Sequence, residues 1–208
     1  MLCLNLEPLY HDSIHRFSCA TRISEERKKD AERHFSAKRV GLSRSREVAK
    51  IDSVVIPIFW HVISKDGTEE GGNIADRQIK DSISVLNSDF AGSGLSFSLV
   101  LTDRTVNETW FNDVNGRDED PDAVQKEMKE ALALVGSPAL NIYSVGFTND
   151  PDDTLGYATL PEAYADNPID DGVVIRYTTL PGGSLPNFNL GKVCGSDCQL
   201  PQISANNP

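Results

Sequence analysis

The run Val54–Ser64, VVIPIFWHVIS, constrains this fold more than any other stretch of the chain. β-Branched and aromatic side chains dominate it, so it reads as a mostly buried strand around which the rest must pack. Pro57 cannot donate to a sheet ladder and predicts an edge position or a bulge inside that strand. No window approaches ~18 consecutive apolar residues, which excludes a transmembrane helix. With 39% hydrophobic and 25% charged residues, the composition is that of a slightly polar globular protein.

The segment IADRQIKDSISVLNSDFAG follows, with Ile79, Ile83, Leu86 and Phe90 on one helical face and Gly92 able to end the helix. Leu95, Phe97, Leu99 and Leu101 then alternate with Ser96, Ser98 and Val100, the pattern of a half-buried strand. A second helix is predicted over Asp122–Val135, with Asp120 as cap, Pro121 at its first position and Gly136 and Pro138 closing it. Its apolar face is Val124, Met128, Ala131, Leu132 and Val135. Leu140–Thr148, Gly156–Leu160 and Gly172–Thr179 read as three further strands. The order β-α-β-α-β-β-β predicts an α/β (α+β) domain, a mixed sheet of about five strands with two main helices.

Composition divides the chain into a polar arm (1–50), a dense domain (51–192) and an irregular tail (193–208). The arm carries a net charge of +4 and residues 51–208 a net of −15. A domain this acidic repels a phosphate backbone, so nucleic acid is not an expected partner. The arm's RISEERKKDAERHFSAKR predicts a solvated helix or a flexible arm. Met1–His15 has neither a basic leader nor an apolar run, so no signal peptide is recognisable in it.

Cys3, Cys19, Cys194 and Cys198 all lie outside residues 20–193, so apolar burial must hold the core. Cys194 and Cys198 could close a small disulfide loop or stay as two thiols; zinc would need further ligands. His61 in the first strand is expected to be a satisfied core or edge histidine. His11 and His15 would share a helical face, but Asp12 between them is a poor base and no third ligand is near. The acidic groups at 118–122, 150–153 and 169–171 match no EF-hand loop and read as solvated turns and helix caps. Asn107-Glu108-Thr109 is an acceptor sequon for N-glycosylation. These residues by themselves show no catalytic constellation.

The phrases HVIS, GGNI, LNSDFAG and DDGVVI followed by LPGGS and NLGK carry a resemblance. Over residues 53–192 the chain resembles the secreted fungal metalloproteases of the pappalysin family, which are metzincin zinc endopeptidases. The resemblance implies a metzincin-like subdomain, secretion, zinc as cofactor and an extended peptide or protein as substrate. It implies that Gly156, Tyr157, Ala158 and Thr159 belong to the edge strand that pairs with substrate main chain. FSCAT looks like the family's early Cys-Gly-Thr segment, with Ala20 in place of glycine, and marks Cys19 as a latency thiol. After Asn-Leu-Gly-Lys the family continues into His-Glu-x-x-His-x-x-Gly-x-x-His, whereas Lys192 here is followed by VCGSDCQLPQISANNP. No zinc ligand or general base carries over. The expectation is therefore a chain truncated before the zinc helix, inactive as written, with no zinc in the catalytic position. The alternative is a non-enzymatic peptide-binding remnant that uses the edge strand. A missing helix also predicts a sheet face left uncovered and marginal stability.

Overall fold

The computed structural model describes residues 53–115, 123–134, 139–150, 153–159, 164 and 166–185, together with the backbone of Ser18–Cys19 and positions 26, 29, 32, 33 and 36. Its elements are β1 (Ser18–Cys19), β2 (Val54–Ser64), α1 (Asp76–Asp89), β3 (Leu95–Val106), α2 (Glu108–Asp113), α3 (Ala123–Leu132), β4 (Leu140–Val145), β5 (Thr154–Ala158) and β6 (Val173–Arg176), which runs into a 3-10 turn, Tyr177–Thr179. They form one sheet in the order β1-β5-β6-β4-β2-β3. All neighbours are parallel except β5 and β6. The expected mixed α/β sheet is present, with five strands from the domain and a sixth, β1, from the arm. Positions 26, 29, 32, 33 and 36 are helical and exposed.

β2 has its predicted length but is an inner strand, and the irregularity expected at Pro57 falls beside it, on β3. β4 joins the ladder only at Ile58, so the strand is paired on one side up to Pro57. The β2–β3 register then slips between Ile58 and Phe59, where Leu99 and Leu101 are the successive partners. Val100 is the extra residue of this bulge, and the slip breaks the alternation expected of β3. Phe97 is buried, while Val100 and Leu101 both stand exposed. The predicted inward position of Leu101 is corrected accordingly.

The two faces of the sheet carry two cores. On one face Ile58, Trp60 and Val62 of β2, Ile142 of β4 and Ile175 of β6 pack under Ile79 and Ile83 of α1. On the other, Ile63, Tyr143, Val145, Tyr157 and Val174 pack against Trp110 and Phe111 of α2 and Met128 of α3. The expected bare face is thus not found over the central strands, because α1 and the α2–α3 pair lie on opposite sides. α2 was not anticipated; Asn107 opens it by accepting a hydrogen bond from the Trp110 amide at 3.0 Å.

α3 departs from its predicted face. Val124, Met128 and Leu132 do pack inward, but Ala131 is exposed, and Gln125 and Lys129 are buried instead. Asp120, Pro121, Asp122 and 135–138 lie outside the described residues.

Gly146 follows β4 where the Phe111 ring leaves no space: a Cβ there would sit 2.3 Å from it. Gly146→Ala is expected to cost about 1–3 kcal/mol through overpacking. Adding Phe111→Leu should recover part of that loss, whereas Phe111→Leu alone destabilises. Urea midpoints of the three variants check this.

Candidate functional site

β5 is the only antiparallel member of the described sheet and the outermost strand of the domain itself. It holds three of the four residues expected on the substrate edge, Gly156, Tyr157 and Ala158; Thr159 follows directly. Gly156 is dictated by packing, since a Cβ would meet the Val174 carbonyl oxygen at 2.7 Å. Tyr157 is buried in the core on the α3 side. The outer side of β5 is not open: β1 lies along it, parallel, with Ser18 opposite Thr154 and Cys19 opposite Gly156. The expected edge strand is therefore an inner strand here, covered by two residues of the arm.

Behind β5 lies a polar cluster. The Tyr157 hydroxyl donates to Gln125 Oε1, and Gln125 Nε2 donates to Asp170 Oδ1 at 2.9 Å. Lys129 Nζ donates to the same Oδ1 at 2.9 Å and to the Asp170 carbonyl at 2.5 Å. The Lys129 side chain is 1% exposed and that of Asp170 22%. Nζ lies 6.0 Å from the Tyr143 ring centroid and 5.9 Å from that of Tyr157. Burial lowers the Lys129 pKa, and Asp170 opposes that shift. Burial also raises the pKa of Tyr143, with Asp103 adding to it. The cluster pins the turn at 170–172 to α3 and fixes Tyr157, so it sets the position of β5. It was not anticipated. The available signal was Gln125 and Lys129, four apart, interleaved with Val124, Met128 and Leu132 on one helical face.

Beside it, Thr159 Oγ1 donates to Asp171 Oδ1 at 2.9 Å and accepts from the Gly172 amide at 2.9 Å. Asp170 and Asp171, predicted only as turn residues, are therefore the fasteners of the β5–β6 end of the sheet.

His61 is fully buried, as expected of a satisfied histidine. Its Nδ1 lies 2.7 Å from Asp103 Oδ2 and its Nε2 3.1 Å from Asn141 Oδ1. Its ring stacks on Tyr143 at 4.7 Å. Both nitrogens are engaged, so the ring is not free to bind a metal or a substrate. Asn107, the candidate glycan acceptor, is the half-buried cap of α2. Asn107→Ala should cost about 1 kcal/mol through loss of that cap, measured by thermal denaturation. His11, His15, Cys194, Cys198, the tail 193–208 and the acidic group 118–122 lie outside the described residues.

Among the described residues no group of three or more His, Cys, Asp or Glu side chains could hold a metal ion. The donors seen among these residues do not fit a catalytic zinc. No helix among them is long and apolar enough to cross a membrane.

No protein-family model matches the chain. An extracellular metalloprotease of Verticillium alfalfae is 36% identical over 155 residues, covering 73% of this chain and 52% of the relative. A second, from Colletotrichum graminicola, is 36% identical over 148 residues, covering 70% and 49%. By sequence this chain is similar to fungal extracellular metalloproteases. It spans about half the length of these relatives. A solved promirolysin variant from Tannerella forsythia shares the fold, with a TM-score of 0.50 at 22% identity over 80% of this chain and 61% of that one. The resemblance carried by HVIS, GGNI and DDGVVI to extracellular metalloproteases is thereby borne out, and the expected α/β arrangement is shared with the promirolysin fold.

Proposed function

We propose that this relative of the extracellular metalloproteases holds an extended peptide along β5, main chain to main chain, as the upper strand of a proteolytic cleft. The zinc-dependent hydrolysis of peptide bonds expected of a secreted metzincin is the chemistry this docking would serve. One observation carries the reading: the outer side of β5 already pairs with a second extended segment, Ser18–Cys19. A strand edge that accepts one extended chain offers the backbone donors and acceptors that any other would need. The rigid support beneath it fits the same role. Lys129, Asp170, Gln125 and Tyr157 lock β5 from behind, so little ordering cost falls on the protein when a peptide docks.

The arm then acts as an occupant to be displaced. The pairing of Cys19 with Gly156 supports reading Cys19 as the residue that keeps the strand closed, the latency position suggested by FSCAT. A glycan on Asn107 would use its Nδ2, leaving Oδ1 to cap α2; a mass shift on glycosidase treatment of the secreted protein tests this.

The docking reading is tested by titrating fluorescent ten-residue peptides of extended conformation into the full chain and following anisotropy. Saturable binding at or below about millimolar peptide is expected. Absence of binding by every peptide overturns the reading. Casein hydrolysis sensitive to a chelator, assayed in parallel, reports on the zinc chemistry separately.

A further inference from the structure

His61 is fully buried on β2, and its ring lies between Asp103 of β3 and Asn141 of β4. Asn141 Oδ1 stands 3.1 Å from Nε2 and also accepts, at 3.3 Å, from the amide of Leu134, just past the end of α3. Turning the Asn141 amide over would set its NH2 against that backbone N–H, so the oxygen faces the ring. An amide oxygen cannot donate; Nε2 therefore carries a proton. Nδ1 lies 2.7 Å from Asp103 Oδ2, a spacing that suits a charge-assisted hydrogen bond and calls for a second proton. The pair thus holds one proton more than a neutral imidazole beside a carboxylate.

The surrounding charges favour that proton. Burial alone would strip it from an imidazolium, but Asp103 supplies the counter-charge. Asp103 Oδ1 is buried without a hydrogen-bond partner among the described residues, so the carboxylate is committed to His61 through Oδ2. Tyr143 of β4, which stacks on the ring at 4.7 Å, is a neutral phenol whose pKa burial raises. From α3, Lys129 lies 6.0 Å from the Tyr143 ring centroid and is matched by Asp170, with Asp171 further off.

We propose that the His61–Asp103 pair is a proton-dependent latch. With its extra proton it ties β3, β2 and β4 to the end of α3; without it the tie to α3 opens. The proton leaves to solvent water or hydroxide past Asp103, whose side chain is 35% exposed. The carboxylate keeps the remaining proton on Nδ1, so the lone pair of Nε2 then faces the lone pairs of Asn141 Oδ1. Asn141 relieves that repulsion by turning its NH2 toward Nε2, and it gives up the Leu134 amide in doing so. The helix that loses this fastening carries Gln125 and Lys129, which fix β5 from behind. The latch stands on the geometry at His61 and does not depend on peptide docking.

Nitrogen-15 NMR of the ring nitrogens in the full chain tests it, with His61→Gln showing which of the four histidine signals belongs to this position. At about pH 7.5, above the ordinary histidine value of about 6.5, the ratio of doubly to singly protonated His61 should exceed that in the urea-unfolded chain. The expected excess is about tenfold, the scale of a hydrogen bond to a charged group. As the ring loses its second proton at higher pH, the Leu134 amide resonance should move with the same midpoint. Equal ratios in the folded and unfolded chains would overturn the proposal. So would a Leu134 amide that does not follow the ring. Asp103→Asn removes the counter-charge and should bring the ratio within about twofold of the unfolded value. A ratio that this variant leaves unchanged would overturn the pairing. If the variant does not fold, the ring ratio and the Leu134 amide of the unaltered chain still decide.

Discussion

Asp170→Asn is expected to destabilise the protein by about 3 kcal/mol near neutral pH, because it leaves the Lys129 ammonium buried without its counter-charge. Lys129 is 1% exposed and its two hydrogen bonds both go to Asp170, which leaves only the more distant Asp171 charge and the Tyr143 and Tyr157 rings to compensate it. The partial exposure of Asp170, at 22%, places the cost at the low end of the range for a broken buried pair. The double variant Lys129→Met, Asp170→Asn removes the stranded charge and should recover most of the loss.

The pH dependence of the single variant follows from the lowered Lys129 pKa. Between the lowered folded-state value and the ordinary lysine value of 10.5, the folded protein binds fewer protons than the unfolded chain. Stability therefore rises with pH across that window. Asp170 holds the folded-state value up, so Asp170→Asn widens the window downward. The deficit of the variant should be largest at low pH and shrink as pH climbs toward the ordinary lysine value. Urea midpoints at intervals from about pH 6 to about pH 9.5 measure it. A deficit that grows over that range would contradict the burial of an ammonium at this position.

The second large effect concerns the arm. Cys19→Pro removes a backbone donor from β1 and should release it from β5. An intramolecular strand competes at an effective concentration of about a millimolar, so it lowers the apparent affinity for any other occupant of the same edge. Removing it should tighten the binding of an extended peptide by about tenfold or more. Cys19→Ser keeps the backbone donor and should leave affinity within about twofold of the parent, since β1 offers its main chain. Equal gains in both variants would instead assign the effect to the thiol.

Much of the fold was legible because the strong elements announce themselves locally. β2 needed only its β-branched and aromatic run. The register slip at Val100 was not read from the sequence, because the apolar run Leu99-Val100-Leu101 does not say which residue is the extra one until it is set against the partner strand. Gln125 and Lys129 were missed for a related reason. A polar residue on an apolar helical face is usually read as a boundary of that face, and its partner Asp170 lies some forty residues further along. The role of β5 came from resemblance, not from its composition, since five residues, TLGYA, carry no functional signal alone. What no local pattern could show is that the arm returns to pair with it. Ser18–Cys19 has a strand's geometry only because β5 supplies the ladder.

Amide hydrogen exchange on the full chain carrying Cys19→Pro, with and without a saturating extended peptide, tests peptide docking on β5 most directly. The account predicts that the peptide slows exchange within Thr154–Ala158 and leaves Leu95–Val106, at the far end of the sheet, unchanged. Protection confined to Leu95–Val106, or none in either strand, would contradict it.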